Sequence, residues 1–258
     1  MIHEPAKEEK LEWVAKPAEE NKAPSDNLLS VQFCAIFFYM VYFLANAIVA
    51  VVWLTLFLLR KDLRKEILLM SFFAAPFAAL DIFFVPSYWK PITFLNLPIG
   101  IEGFIFAFEI GGIAAAIYPE LLHKKLSRIK NYHKPIGIFI SVTALSAIMF
   151  SKLFELTNIM INLYIILLFG SAIIVYGRKD LLKSTLLGGI LFGTIYFISF
   201  FILNRIQAIN DWFVLEGLPR IFILDVPLYE ILFAVLFGAY WGNLYELFFG
   251  YRFKTFKR

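Results

Sequence analysis

Seven stretches of the chain run for about 20 residues with almost no charge, long enough to cross the hydrocarbon layer of a bilayer as helices. They cover residues 27–59, 67–85, 98–118, 135–150, 156–176, 185–203 and 226–249. Inside that layer every backbone N–H and C=O must find its partner within the chain, which leaves helices or a closed barrel. Runs of this length predict an all-α polytopic membrane protein with seven transmembrane helices. Composition agrees, since 60% of the 258 residues are hydrophobic, against about 45–50% in soluble domains. The first run is longer than a span requires and must tilt or protrude.

The basic residues give an orientation. Arg60, Lys61, Arg64 and Lys65 follow the first run, and Lys124, Lys125, Arg128, Lys130 and Lys134 follow the third. Arg178, Lys179 and Lys183 follow the fifth, and Arg252, Lys254, Lys257 and Arg258 close the chain. The alternate loops hold one, one and two. The positive-inside rule then expects the C-terminus in the cytoplasm and the N-terminus outside a cell membrane. The net charge of +4 belongs to these loops and not to a nucleic-acid site. Residues 1–27 are polar, carry Pro5, Pro17 and Pro24, and read as a mobile tail without a signal-peptide core.

One unit reads as written twice in the order of its landmarks: RKDLRKE from Arg60, an apolar run ending at Asp81, Trp89, then a run opening at Pro98 with Glu102. RKDLLKS from Arg178, a second apolar run, Trp212, and a run opening at Pro227 with Glu230 follow the same order. The expected organisation is 3 + 1 + 3: a three-helix repeat over 28–122, a basic loop and linking helix over 123–154, and a second repeat over 155–250. A basic tail covers 251–258. Both repeats run in the same sense, so a quasi-twofold axis along the membrane normal relates them.

A charge in the hydrocarbon layer costs about 2.5–3.5 kcal/mol, so Asp81, Glu102, Glu109 and Glu230 must face the bundle interior. Asp81, Glu102 and Glu230 fall near the same ends of their spans and can share one site. Glu102 and Glu230 also sit in first turns behind a proline, where the helix dipole favours an acid without further function. Asp81 ends its run, where an acid is disfavoured. Glu109 is open between proton handling and a structural bond to Asn46, Asn158, Asn162 or a tyrosine. Glu120 and Glu246 read as structural, or as partners of loop lysines. Trp89, Trp212 and Tyr88 are either interfacial anchors or an aromatic wall that steadies a cation. Arg205 and Arg220 are placed to pair with Asp211 or Asp225. The spacings Gly189–Gly193 and Gly238–Gly242 read as helix packing. Thirty Phe residues serve as lipid-facing filler or as the lining for a long apolar ligand.

Several chemistries are excluded. The last run has no lysine for a retinal Schiff base, and no nucleotide fingerprint or HExxH motif is present. His3, His123 and His133 lie outside the runs, so no buried histidine metal site is expected. Cys34 is the single cysteine and forms no intrachain disulfide.

Asp81, Trp89, the segment PIGIEGFIF from Pro98, Trp212 and VPLYEILF from Val226 together resemble the integral-membrane lycopene cyclase domain family. In that family a three-helix domain occurs twice, each copy with Pro, a spacer and two acids opening a Phe-rich helix. Here the double acid is reduced to Ile101-Glu102 and Tyr229-Glu230, and Ser199 stands where Asp81 would repeat. The resemblance implies a redox-neutral cyclisation of the end of a linear carotene. Glu102 and Glu230 would act as acid and base, Asp81 would orient one of them, and Glu109, Trp89, Trp212 and Tyr229 would contact the substrate. It implies no cofactor and no metal. The implied partners are an apolar polyene or lipid-like molecule, the bilayer and a homo- or hetero-oligomer. The alternatives are a non-enzymatic binder or transporter of an apolar molecule on the same repeat, and a structural partner of another chain.

Overall fold

Charge, capping and glycine set the ends of the helices into which the apolar runs fold. The computed structural model describes residues 26–95, 97, 99–130, 132, 136–153, 158–207 and 209–255, with 26–40 and some of 136–151 as backbone only. The tail over 1–25, Pro98, His133 and 256–258 lie outside the described residues. Residues 37–258 form one unit, and the packing below is that of this unit.

Helix α1 (Asp26–Leu59) ends at Arg60, and Arg64 Nε donates to the Phe57 carbonyl at 2.8 Å, satisfying an end carbonyl that has no partner in the helix. The second span is continuous but changes pitch. It runs as α2 (Arg64–Ala74), a 3-10 segment over Ala75–Leu80 and α3 (Asp81–Phe84). Pro76 lies at the start of the 3-10 segment and brings no N–H to the ladder. Asp81 falls in the last turn of this span, which ends at Phe84, and its N–H is already bonded to the carbonyls of Ala78 and Ala79, so it lies where an acid is disfavoured, as expected from the run.

Helix α4 (Ile101–Leu121) is followed by β1 (Lys124–Arg128), α5 (Ile136–Leu153) and α6 (Ile159–Gly177). Asn158 caps α6, its side chain accepting from the N–H groups of Met160 and Ile161 at 2.9 and 3.2 Å. A 3-10 turn leads into α7 (Leu182–Ile206), and short strands β2 (Phe222–Ile223) and β3 (Val226–Pro227) precede α8 (Leu228–Trp241). The seventh run breaks at Gly242-Asn243 and resumes as α9 (Leu244–Phe249). Gly250, at φ +71°, ends it in the left-handed conformation that favours glycine. The basic tail expected from residue 251 begins as a strand, β4 (Tyr251–Thr255), antiparallel to β1.

Among the described residues six segments are long and apolar enough to cross a membrane: Val41–Leu59, Arg64–Phe84, Ile101–Leu121, Ile159–Gly177, Lys179–Ile206 and Leu228–Phe249. The chain is thus a mostly helical membrane protein. Helix α5 occupies the place of the expected fourth span. The third span, α4, is the most enclosed and packs against α2, α7 and α8. Small residues permit that approach. A Cβ on Gly111 would lie 2.3 Å from Ala74 Cβ, and one on Gly189 would lie 2.6 Å from the Val235 carbonyl oxygen across α7 and α8. Gly189 and Gly193 thus act in helix contact, the role their spacing suggested.

The two ends of the unit are tied differently. At one end β1 pairs with β4, and two arginines grip the adjoining backbone. Arg60 donates to the carbonyls of Pro119 and Lys124 at 2.8 and 2.7 Å, and to Asp62 and Glu120. Arg178 donates to the carbonyls of Glu246 and Tyr251 at 3.2 and 2.7 Å, and to Asp180. At the other end the loop after α3 meets the loop after α7. Trp89 and Phe213 form an antiparallel bridge, and the N–H groups of Val214 and Leu215 donate to the Tyr88 carbonyl at 2.9 and 3.0 Å.

Candidate functional site

The joined loops close over a buried cluster that contains Tyr42, Tyr88, Trp212 and Phe213. Glu230, in the first turn of α8, points into it and is 7% exposed. Both its oxygens are engaged: Tyr88 donates to Oε1 and Tyr196 of α7 donates to Oε2, each at 2.7 Å. Burial, reinforced by the Glu230 carboxylate beside it, pushes the Tyr88 phenol well above its usual range, so Tyr88 remains a donor. Tyr164 of α6 donates to the Tyr229 carbonyl at 2.7 Å and fixes the start of the helix that carries Glu230.

Asp81, Glu102 and Glu230 all lie within electrostatic reach of Tyr42, on α1. Asp81 is half-buried; its Oδ2 and the Tyr42 hydroxyl both border the open side of Gly103, at 3.2 and 3.6 Å from where a Cβ would stand. A larger residue there would press on the Asp81 carboxyl group. Trp89 and Trp212 approach the same Tyr42 ring edge-on, with centroids 5.7 and 6.1 Å away and interplanar angles of 80° and 64°. Trp212 is buried and Trp89 half-buried. Both tryptophans thus pack on one ring of α1.

The other singled-out residues divide. Glu102, 1% exposed, turns back over the start of α4, where its Oε1 accepts from the Phe94 N–H and its Oε2 meets no donor among the described residues. Asn46 donates to the Glu102 carbonyl at 3.0 Å. This side chain fastens the loop before α4. Glu109 is buried on α4, and its Oε2 has no partner among the described residues. Asn46 and Asn158, two of the partners open to it, are committed to the Glu102 carbonyl and to the α6 cap. Glu120 pairs with Arg60 at 3.0 Å. Arg205 pairs with Asp225 at 3.5 Å, as its spacing allowed. Ser199 donates to the Ile195 carbonyl within its own helix.

Sequence reasoning missed Tyr42 and Tyr196. A tyrosine in an apolar run leaves no mark of charge, and only the fold shows that these two hydroxyl-bearing rings turn toward acids. Among the described residues no group of three or more His, Cys, Asp or Glu side chains could hold a metal ion. The cluster offers acids, phenols and aromatic faces, a chemistry of proton transfer beside an apolar surface. No protein-family model, curated protein or solved structure matches the chain.

Proposed function

We propose that this chain is a membrane carotenoid cyclase that moves one proton onto and one off the end of a linear polyene. The observation that carries the reading is that Asp81 lies with the Tyr42 hydroxyl beside Gly103, that Trp89 and Trp212 pack on the Tyr42 ring, and that Glu230 belongs to the same buried end of the unit. Asp81 in its acid form protonates the terminal double bond. The next double bond attacks the resulting cation and closes a six-membered ring, with the tryptophan faces steadying the charge. Glu230 then removes a proton from the ring carbon beside the cation, and the product is an isomer of the substrate. Return of the proton from Glu230 to Asp81 restores the starting state. Glu102 is given no step in this reading because its Oε1 holds the Phe94 N–H of the loop before α4.

The same reading makes the chain two parallel three-helix repeats joined by α5, seven spans in all. Three features support it. Leu126 and Phe253, each the third residue of its strand, face one another in the β1–β4 pair, so the strands meet about their centres as twofold-related segments would. Trp89 pairs with Phe213, beside its counterpart Trp212. Arg60 and Arg178, which open the two RKDL segments, grip equivalent carbonyls five residues apart, Pro119 and Lys124 in one case and Glu246 and Tyr251 in the other. Lys124, Lys125, Arg128, Arg252 and Lys254 gather at the strand end, which the positive-inside rule assigns to the cytoplasm. The acid site then faces the outer leaflet.

Expression in cells that accumulate a linear carotene tests the activity. Ringed product is expected from the wild type and from Glu102→Gln, and none from Asp81→Asn or Glu230→Gln. Absence of ringed product from a correctly inserted wild type overturns the cyclase. The engagement of Glu102 by the loop removes one acid and favours a second reading, a non-enzymatic binder. In that case the unchanged polyene co-purifies with the protein.

A further inference from the structure

The chemistry above uses no titratable group at the strand-pair end, yet two acids there are almost wholly enclosed. Glu66, in the first turn of α2, is 1% exposed, and Glu246, in α9, is 0% exposed. Their carboxyl groups face each other within hydrogen-bonding reach. None of the four oxygens receives an N–H or O–H from any other described residue. Ionised carboxylates only accept hydrogen bonds, so two of them in contact repel and lack donors. A single proton between them removes both faults.

The surroundings argue for a proton over a metal ion. Arg60 and Asp62 flank the pair on the Glu66 side, Arg178 and Asp180 on the Glu246 side, and Tyr245 lies beside both acids with Tyr251 next to it. Both guanidinium groups are engaged with their own aspartates and with backbone carbonyls, so neither is free to neutralise the pair by direct contact. Their two positive charges nevertheless oppose a cation at this place. The acids are also not a necessity of the helix seam. In the second RKDL segment the position of Glu66 is held by Ser184, which donates to Asn243 in a neutral contact.

We propose that Glu66 and Glu246 share one exchangeable proton and so form a proton-dependent lock between α2 and α9. The lock is independent of the cyclase reading and concerns the opposite end of the unit. Loss of the proton in alkaline solution sets two like charges against each other and loosens the junction of α2 with the end of the last span.

Infrared spectroscopy and thermal unfolding of the full chain in detergent test this, with protons as the only ligand titrated. The wild type is expected to show a protonated-carboxyl C=O band at neutral pH and a fall in Tm on the alkaline side. Glu66→Gln and Glu246→Gln each place an amide N–H where the proton was. Either variant should lose the part of the band that belongs to the pair and hold its Tm across the alkaline range. A band and an alkaline fall unchanged in both variants overturn the proposal. Should a single variant fail to fold, the double Gln variant, which bonds to itself at every pH, must fold and show a flat alkaline profile. Its failure to fold also overturns the proposal, as does a wild type with no pH-sensitive carboxyl band.

Discussion

Removing the Tyr196 hydroxyl gives the most direct test of the Glu230 site. Its O–H reaches Glu230 Oε2 at 2.7 Å inside a buried cluster, while Tyr88 holds Oε1 at the same distance. A hydrogen bond to a charged group contributes about 1.5–3 kcal/mol, so Tyr196→Phe should cost about 2 kcal/mol. Adding Tyr88→Phe leaves Glu230 without either donor, and stripping a buried charge of its partners costs about 3–5 kcal/mol. For a chain of this size 1 kcal/mol moves Tm by about 2–4 °C, which puts the single variant about 4–8 °C down and the double about 6–20 °C. Tryptophan fluorescence during heating in detergent reads the shift, since Trp89 and Trp212 both pack near the site on Tyr42. The decisive arm repeats Tyr196→Phe on a Glu230→Leu background, where the hydroxyl has lost its acceptor and its removal should cost almost nothing. An equal Tm loss with and without Glu230 refutes the reasoning, because the hydroxyl would then act through something other than this carboxylate.

Two further outcomes follow from packing and charge. Gly189→Ala brings a Cβ to 2.6 Å from the Val235 carbonyl oxygen, a backbone atom that cannot swing aside; overpacking of this kind costs about 1–3 kcal/mol, read as a lower Tm, and an unchanged Tm would show that α7 and α8 can part without cost. Asp62 is held below the usual carboxylate range, chiefly by its hydrogen bond from Arg60. Its folded value is lower than its unfolded one, so its stabilisation is present at neutral pH and is lost as pH falls through the lowered value. Arg60→Gln should therefore lower Tm at neutral pH and flatten that acid limb; an acid limb identical to wild type would disconnect it from this pair.

The spans were legible because twenty uncharged residues have few ways to satisfy their backbone in lipid. The placement of Asp81, Glu102 and Glu230 near one end was legible from their positions within the runs. What each carboxyl group does was not. Glu102 and Glu230 share a first-turn position behind a proline, yet one binds a loop N–H and the other binds two phenols from distant segments, Tyr88 and Tyr196. Glu66 was hidden for a different reason. It follows Arg64 and Lys65 in sequence and reads as part of a charged loop, whereas α2 begins at Arg64 and turns that one side chain into the core. The strands β1 and β4 were hidden by brevity, since KKLSR and YRFKT alternate for only five residues each and their basic residues read as loop and tail.

In the proposed twofold arrangement Glu102 and Glu230 began as equivalents, yet they hold different partners. Near Glu102 the loop before α4 turns the Phe94 N–H inward, and a backbone donor that is always present removes one carboxyl oxygen from any reaction. Near Glu230 the corresponding loop carries β2 and β3, which pair Phe222 with Pro227 and Ile223 with Val226 and so satisfy their own backbone. Among the described residues no backbone N–H is directed at Glu230; its donors are two side-chain hydroxyls, which can rotate. A symmetric pair would have given two latches or two reactive acids. The extra length of the second loop supplies its own hydrogen bonds, and that leaves Glu230 to the hydroxyls of Tyr88 and Tyr196.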